Sequence, residues 1–137
     1  MSAVACVSDA SALLALLRGE EGAGVTDAAL RDPGNACYVH ALNLTEVFYD
    51  RRRADGEEAA QIALETLQNL GIQAREDLDA AFWQDAGRIK ADYRRVSLAD
   101  CCGVALTRRV GGTFVTTDHH ELDPLEAAGV CPIRFIR

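Results

Sequence analysis

The stretch AVACVSDASALLALLRG, residues 3–19, decides the fold. Its opening run, Ala3 to Val7, is short, continuous and apolar, as a strand buried on both faces requires. Ser8 and Asp9 end that run. ASALLALLRG then continues as an apolar helix that stops near Gly19. The reading is strand, turn, helix, with a carboxylate at the turn.

Working outward, the same alternation repeats. An amphipathic helix is expected over 24–31, before the Pro33-Gly34 break. CYVHAL, residues 37–42, is strand-like, and NLTEVFYDRRRADG is helical from Asn43 up to Gly56. In 57–70, Ala60, Ala63, Leu64, Leu67 and Leu70 share a helical face. IQARE, 72–76, is a weak strand. From Leu78 to Tyr93 the set Leu78, Phe82, Ala86, Ile89 and Tyr93 repeats the helical period. Ser97 opens a further helix, closed by Gly111-Gly112. TFVTT is a strand, HHELDPLEAAG a turn with a short helix, and VCPIRFI a last strand. Strands that alternate with helices imply a parallel sheet covered on both faces. Ligands gather at the carboxyl ends of the strands in such folds.

Composition narrows the function. With 137 residues the chain is expected to form a single domain, 1–137. No apolar run approaches the roughly 18 residues of a membrane span. The N-terminus has no positive charge before its apolar stretch and is interrupted by Asp9, unlike a signal peptide. No membrane partner and a cytoplasmic location are the expectations. Five cysteines, an odd number with no C-x-x-C pair, point to reduced thiols and not to a disulfide framework or a zinc site. A formal charge of −7 repels polyanions, unless several acids are gathered in one place and neutralised by cations.

The positions of the acids supply such a gathering. Asp9 follows the first strand, Glu46 lies one turn into the helix after the second, Asp100 lies in the first turn of the Ser97 helix, and Asp118 follows TFVTT. If strands one, two and four are neighbours, four carboxylates converge in one cleft. Like charges that close stay ionised only with compensating cations. Carboxylate oxygens are the hard ligands that Mg²⁺ and Mn²⁺ prefer. Each acid also has a plainer explanation. Asp9 can cap its helix, Asn43-x-x-Glu46 and Ser97-x-x-Asp100 fit capping boxes or a close variant, and Asp118 can start a turn. Caps explain any one acid but not why four sit at equivalent ends of the topology.

VSDASALLALL, ALNLTEVFYD, SLADCCGVAL and FVTTD, in that order and at those separations, resemble the four acidic motifs of the PIN domain family, especially the VapC-type toxins. The resemblance covers essentially the whole chain. It implies an α/β fold, a three-layer α/β/α sandwich with a five-stranded parallel sheet. It also implies an Mg²⁺- or Mn²⁺-dependent ribonuclease with an RNA substrate and a cognate antitoxin. By position Asp9, Glu46, Asp100 and Asp118 match the family's catalytic and metal-binding acids, and Ser11 and Thr116 its small hydroxyl positions. The chain departs from the pattern at Cys102, where a small residue is common, and at His119-His120.

Further candidate residues surround that centre. Thr116 and Thr117 are expected to support the acids through their hydroxyls. His40 reads as a satisfied core histidine, and at least one of His119 and His120 as part of an exposed turn. Arg51, Arg52 and Arg53 form the densest positive run and are the candidates for RNA phosphates, with Arg94-Arg95 and Arg108-Arg109 weaker ones. An apolar surface between helices can receive an antitoxin segment or a second subunit, giving a homodimer. Two competing enzyme classes fit poorly. An aspartyl phosphatase needs an aspartate where Ser11 stands, and a phosphoacceptor domain needs a lysine at a strand end, whereas the only lysine, Lys90, falls within a helix. The remaining alternative is a catalytically inactive PIN-like binding or scaffold module.

Overall fold

The structure is a computed structural model that describes residues 4–137. Ala3, the first residue of the expected opening strand, lies outside the described residues. The chain runs β1 (Val4–Ser8), α1 (Ala10–Arg18), α2 (Ala23–Arg31), β2 (Asn35–His40), α3 (Ala41–Asp55), α4 (Glu57–Leu70), β3 (Gln73–Arg75), α5 (Ala80–Asp92), α6 (Leu98–Val110), β4 (Thr113–Thr116), α7 (His119–Ala127) and β5 (Ile133–Phe135). All strand pairings are parallel, in the order β3-β2-β1-β4-β5. This is the five-stranded α/β architecture expected from the sequence.

Side chains that alternate across the sheet feed two cores. Val7 and Phe114 turn to one face, where they pack with Phe82, Ile89, Leu106, Leu122 and Leu125 from α5, α6 and α7. Cys37 and Val39 turn to the other and meet Leu13, Val47 and Leu67 from α1, α3 and α4. Burying the two faces of one sheet explains why the strands read as unbroken apolar runs. Among the described residues no helix is long and apolar enough to cross a membrane. The cysteines are all free, with Cys6 partly exposed and the other four buried.

Helix α3 starts earlier than expected. His40, the last residue of β2, supplies the cap, its Nδ1 accepting the Leu42 N–H at 3.1 Å. Its Nε2 therefore carries the proton and donates to the Asp77 carbonyl at 2.9 Å, while its ring stacks on Phe82. With the cap supplied by an imidazole, Ala41 and Leu42 are helical. Asn43 is then inside the helix, and the expected Asn43-x-x-Glu46 capping box does not form. His40 itself is fully buried and satisfied.

Candidate active site

β1 is flanked by β2 and β4, so the segments that leave these three strands emerge side by side. A cleft of about 250 Å³ opens there, lined by Asp9, Ala10, Ser11, Asn43, Glu46, Ser97, Asp100, Asp118 and Glu121. The four acids singled out in the sequence thus share one cleft although up to 109 residues separate them.

Asp9 is the best-fixed of them. Its Oδ1 accepts the Ser11 hydroxyl at 2.6 Å and the Ala12 N–H at 3.0 Å. Its Oδ2 accepts the Thr116 hydroxyl at 2.6 Å. Both hydroxyls are tied in turn to the segment that leaves β4. The Thr117 N–H donates to Ser11 Oγ and the Asp118 N–H to Thr116 Oγ1, both at 3.1 Å. Thr117 therefore contributes its backbone; among the described residues its hydroxyl makes no hydrogen bond, contrary to the supporting role expected of it. Asp9 also caps α1 and Asp118 caps α7. Capping and cleft lining are not competing roles, because a cap aims a carboxylate at the strand end where a helix begins.

Of the residues in the cleft, Glu121 escaped the sequence reading and Asn43 was read there only as a helix cap. Glu121 lies in the first turn of α7, and its N–H donates to Asp118 Oδ1 at 3.0 Å. The Asp118-x-x-Glu121 spacing is the capping-box pattern and was the available signal. Asn43, fully buried, accepts the Ala10 N–H and donates to the Ala99 carbonyl, each at 3.1 Å. One amide thereby locks the starts of α1 and α6 to α3, and so sets Asp9, Glu46 and Asp100 relative to one another. No local pattern marks that role.

Burial, and after it the crowding of like charges, raises the carboxyls of the cleft. Burial pushes the Asp9 carboxyl above its usual range against the pull of its hydrogen-bond donors. Burial, followed by the charges of Asp9, Glu46, Glu121 and Asp118, pushes Asp100 up to about 9. Glu46 rises through burial and Asp9, and Glu121 through burial and Asp118. Free of cations, the cleft holds protons that these groups would ordinarily release.

The donors are all hard oxygens, suited to Mg²⁺ or Mn²⁺. Among the described residues, however, no three His, Cys, Asp or Glu side chains are spaced as a ready-made metal cage. An open cleft fits an ion that keeps several waters and binds one or two carboxylates, the habit of Mg²⁺. The set is compatible with such an ion on those terms.

The other candidates lie elsewhere. Arg51, Arg52 and Arg53 do not line the cleft. Arg51 pairs with Asp55, Arg52 with Glu57 at 3.1 Å, and Arg53 lies over the Tyr49 ring. His119 contacts Asp123 through Nδ1 and the Arg137 carbonyl through Nε2, both at 2.9 Å, and stacks on Phe135. His120 is exposed. Cys102 is buried on α6.

A model of the PIN domain matches residues 6–123. The chain belongs to the PIN domain family. Solved structures agree in fold. Mycobacterium tuberculosis VapC20, a toxin that cleaves the sarcin-ricin loop, superposes on this PIN domain with a TM-score of 0.68 at 21% identity, covering 94% of this chain and 98% of that one. VapBC2 from Rickettsia felis, bound to a DNA fragment from its promoter, gives 0.73 at 10% identity over 96% and 98% of the two chains. DNA-bound VapBC from Salmonella typhimurium gives 0.72 at 16% identity over 98% and 99%. No curated protein sequence matches. At these identities the structural likeness speaks for the fold of this PIN domain, and its chemistry has to be argued from the cleft.

Proposed function

We propose that this PIN domain, acting as one domain over the whole chain, is a divalent-metal-dependent endoribonuclease that hydrolyses RNA phosphodiester bonds. We also propose that it is the toxin of a toxin-antitoxin pair. The observation that carries the first reading is the convergence of Asp9, Glu46, Asp100, Asp118 and Glu121 on one cleft at the carboxyl ends of the strands. The second is supported by the fold shared with VapC toxins, whose structures include complexes with antitoxins. A cognate antitoxin, a cytoplasmic setting and a homodimer belong to the same proposal.

In this reading Asp9, Glu46, Asp100 and Asp118 hold one or two Mg²⁺ or Mn²⁺ ions. Bound there, a divalent ion supplies Lewis acidity, which activates water and stabilises the leaving oxygen of the phosphodiester. The residues of the chain do the positioning. Ser11 and Thr116 fix both oxygens of Asp9, so its lone pairs are aimed before any ligand arrives. Asn43 holds the helix starts that carry Asp9 and Asp100. The raised carboxyls of Glu46, Asp100 and Glu121 release protons when a cation enters, so affinity increases with pH. No protein nucleophile is required.

A second reading has two observations in its favour. Asp9 and Asp118 serve as helix caps, and the acids are not spaced as a finished cage, which also suits an inactive scaffold. The deciding experiment is cleavage of a mixed RNA pool by the pure protein with Mg²⁺, with EDTA, and by Asp9→Asn and Asp118→Asn. Cutting that needs the ion and is lost in both variants is the expected result. Undiminished cutting by the variants eliminates the nuclease assignment. A protein that neither cuts nor shifts its melting temperature with Mn²⁺ is the scaffold.

A further inference from the structure

An acidic chain that acts on RNA needs local cations to hold a polyanion beside an acidic cleft. The run Arg51–Arg53 is poorly placed for this, since two of its charges are already paired with carboxylates and the third lies over the Tyr49 ring. The turn between α5 and α6, residues 93–97, has different properties.

Its backbone is stitched in place. Lys90, the only lysine, donates from Nζ to the Arg94 carbonyl at 2.8 Å and to the Val96 carbonyl at 2.7 Å. The Val96 N–H returns to the Tyr93 carbonyl at 3.0 Å, and the Val96 side chain is buried in the core. A lysine that caps two carbonyls holds the turn in place and leaves the Arg94 and Arg95 side chains outside. Arg94 and Arg95 are both exposed, and among the described residues neither guanidinium forms an ion pair. Two residues after Arg95, Ser97 lines the cleft and caps the helix that carries Asp100.

We infer that Arg94 and Arg95 are the phosphate-backbone contact of this cleft, gripping the RNA strand beside the scissile bond. The inference rests on the nuclease reading above and assigns the substrate grip within it. Guanidinium groups bind phosphate oxygens bidentately, and a pinned turn avoids much of the ordering cost of the contact. Such contacts are indifferent to base sequence, so they add affinity to any strand that enters.

The test is fluorescence anisotropy of a labelled single-stranded RNA at several KCl concentrations. The full chain carrying Asp9→Asn serves as parent so that the probe is not cut. Each phosphate contact contributes roughly 0.7 to the slope of log affinity against log salt for a single strand. Arg94→Ala with Arg95→Ala should lower the slope by about 1.4 and weaken binding about tenfold or more near 0.1 M salt. Arg94→Lys with Arg95→Lys should retain most of the slope, since the charges remain. Arg51→Ala, Arg52→Ala and Arg53→Ala together should leave it unchanged. A parent that binds RNA with the same slope after both Arg94 and Arg95 are removed overturns the assignment alone. A parent that binds no RNA at any salt overturns the nuclease reading and the assignment with it.

Discussion

Replacing Asp100 with asparagine should stabilise the metal-free protein while disabling the site. Burial and four neighbouring acids raise this carboxyl from 3.8 to about 9 in the folded chain; in the unfolded chain it titrates near about 3.9. Between those values the folded state keeps a proton that the unfolded state has released, so the unfolding free energy falls as pH rises. Each unit is worth at most about 1.4 kcal/mol, which from about pH 4 to pH 7 sets a ceiling of about 4 kcal/mol. Asparagine has the shape of the protonated carboxyl and does not titrate, so the penalty disappears. The acids share their repulsion and the titration is spread over several of them, so the expected gain at neutral pH is about 1 to 3 kcal/mol. In a chain of this size that is roughly 3 to 12 °C in melting temperature. The assay is thermal unfolding of wild type and Asp100→Asn in EDTA across about pH 5 to 8.5, the window in which the linkage acts. The wild-type midpoint should fall with pH and the variant's should fall less, the two converging at the acid end. Millimolar Mn²⁺ should then raise the wild type well above its metal-free value and the variant much less. A flat wild-type profile, or a variant that melts below wild type throughout, refutes the picture of a buried, repelled carboxyl.

Three further outcomes follow from the same geometry. Thr116→Val deletes the donor to Asp9 and leaves the Asp118 N–H without its acceptor; it should lose about 1 to 3 kcal/mol by urea denaturation, and RNA cleavage should fall more steeply than stability. Asn43→Ala strands the Ala10 N–H and opens a void between three helices, and should cost about 2 to 4 kcal/mol by the same measurement. Gly103→Ala places a methyl group 2.5 Å from Phe114 Cε1 and 3.1 Å from Asn43 Nδ2. Phe114 is fully buried and cannot move aside freely, so a loss of about 1 to 3 kcal/mol is expected; a variant as stable as wild type by thermal melting would show that the contact is looser than described.

Much of this protein was legible in the chain itself. The apolar runs of β1, β2 and β4 and the helical periods between them are local patterns, set by burial on two faces of one sheet. They fixed the element order and the parallel class. The acids Asp9, Glu46, Asp100 and Asp118 were legible for the same reason, since each stands at a fixed offset from a strand end or a helix start. The start of α3 was misjudged because the cap there is His40, an imidazole in the position where sequence patterns look for a serine or an asparagine. Glu121 was missed because its capping-box spacing from Asp118 resembles an ordinary helix entry.

Tertiary structure alone decided the strand order, and with it the side-by-side exit of three chain segments that turns separate acids into one cleft. It decided that Asn43 is a buried bracket between helices, that Arg51 and Arg52 are matched by carboxylates, and that Arg94 and Arg95, among the described residues, stand unpaired on a turn held by Lys90. The physical reason is the same in each case. Periodicity and capping act over a few residues and are written in order along the chain, whereas hydrogen bonds such as Asn43 to Ala99, and charge pairing or its absence, depend on which distant residues the packed sheet brings within a few ångströms.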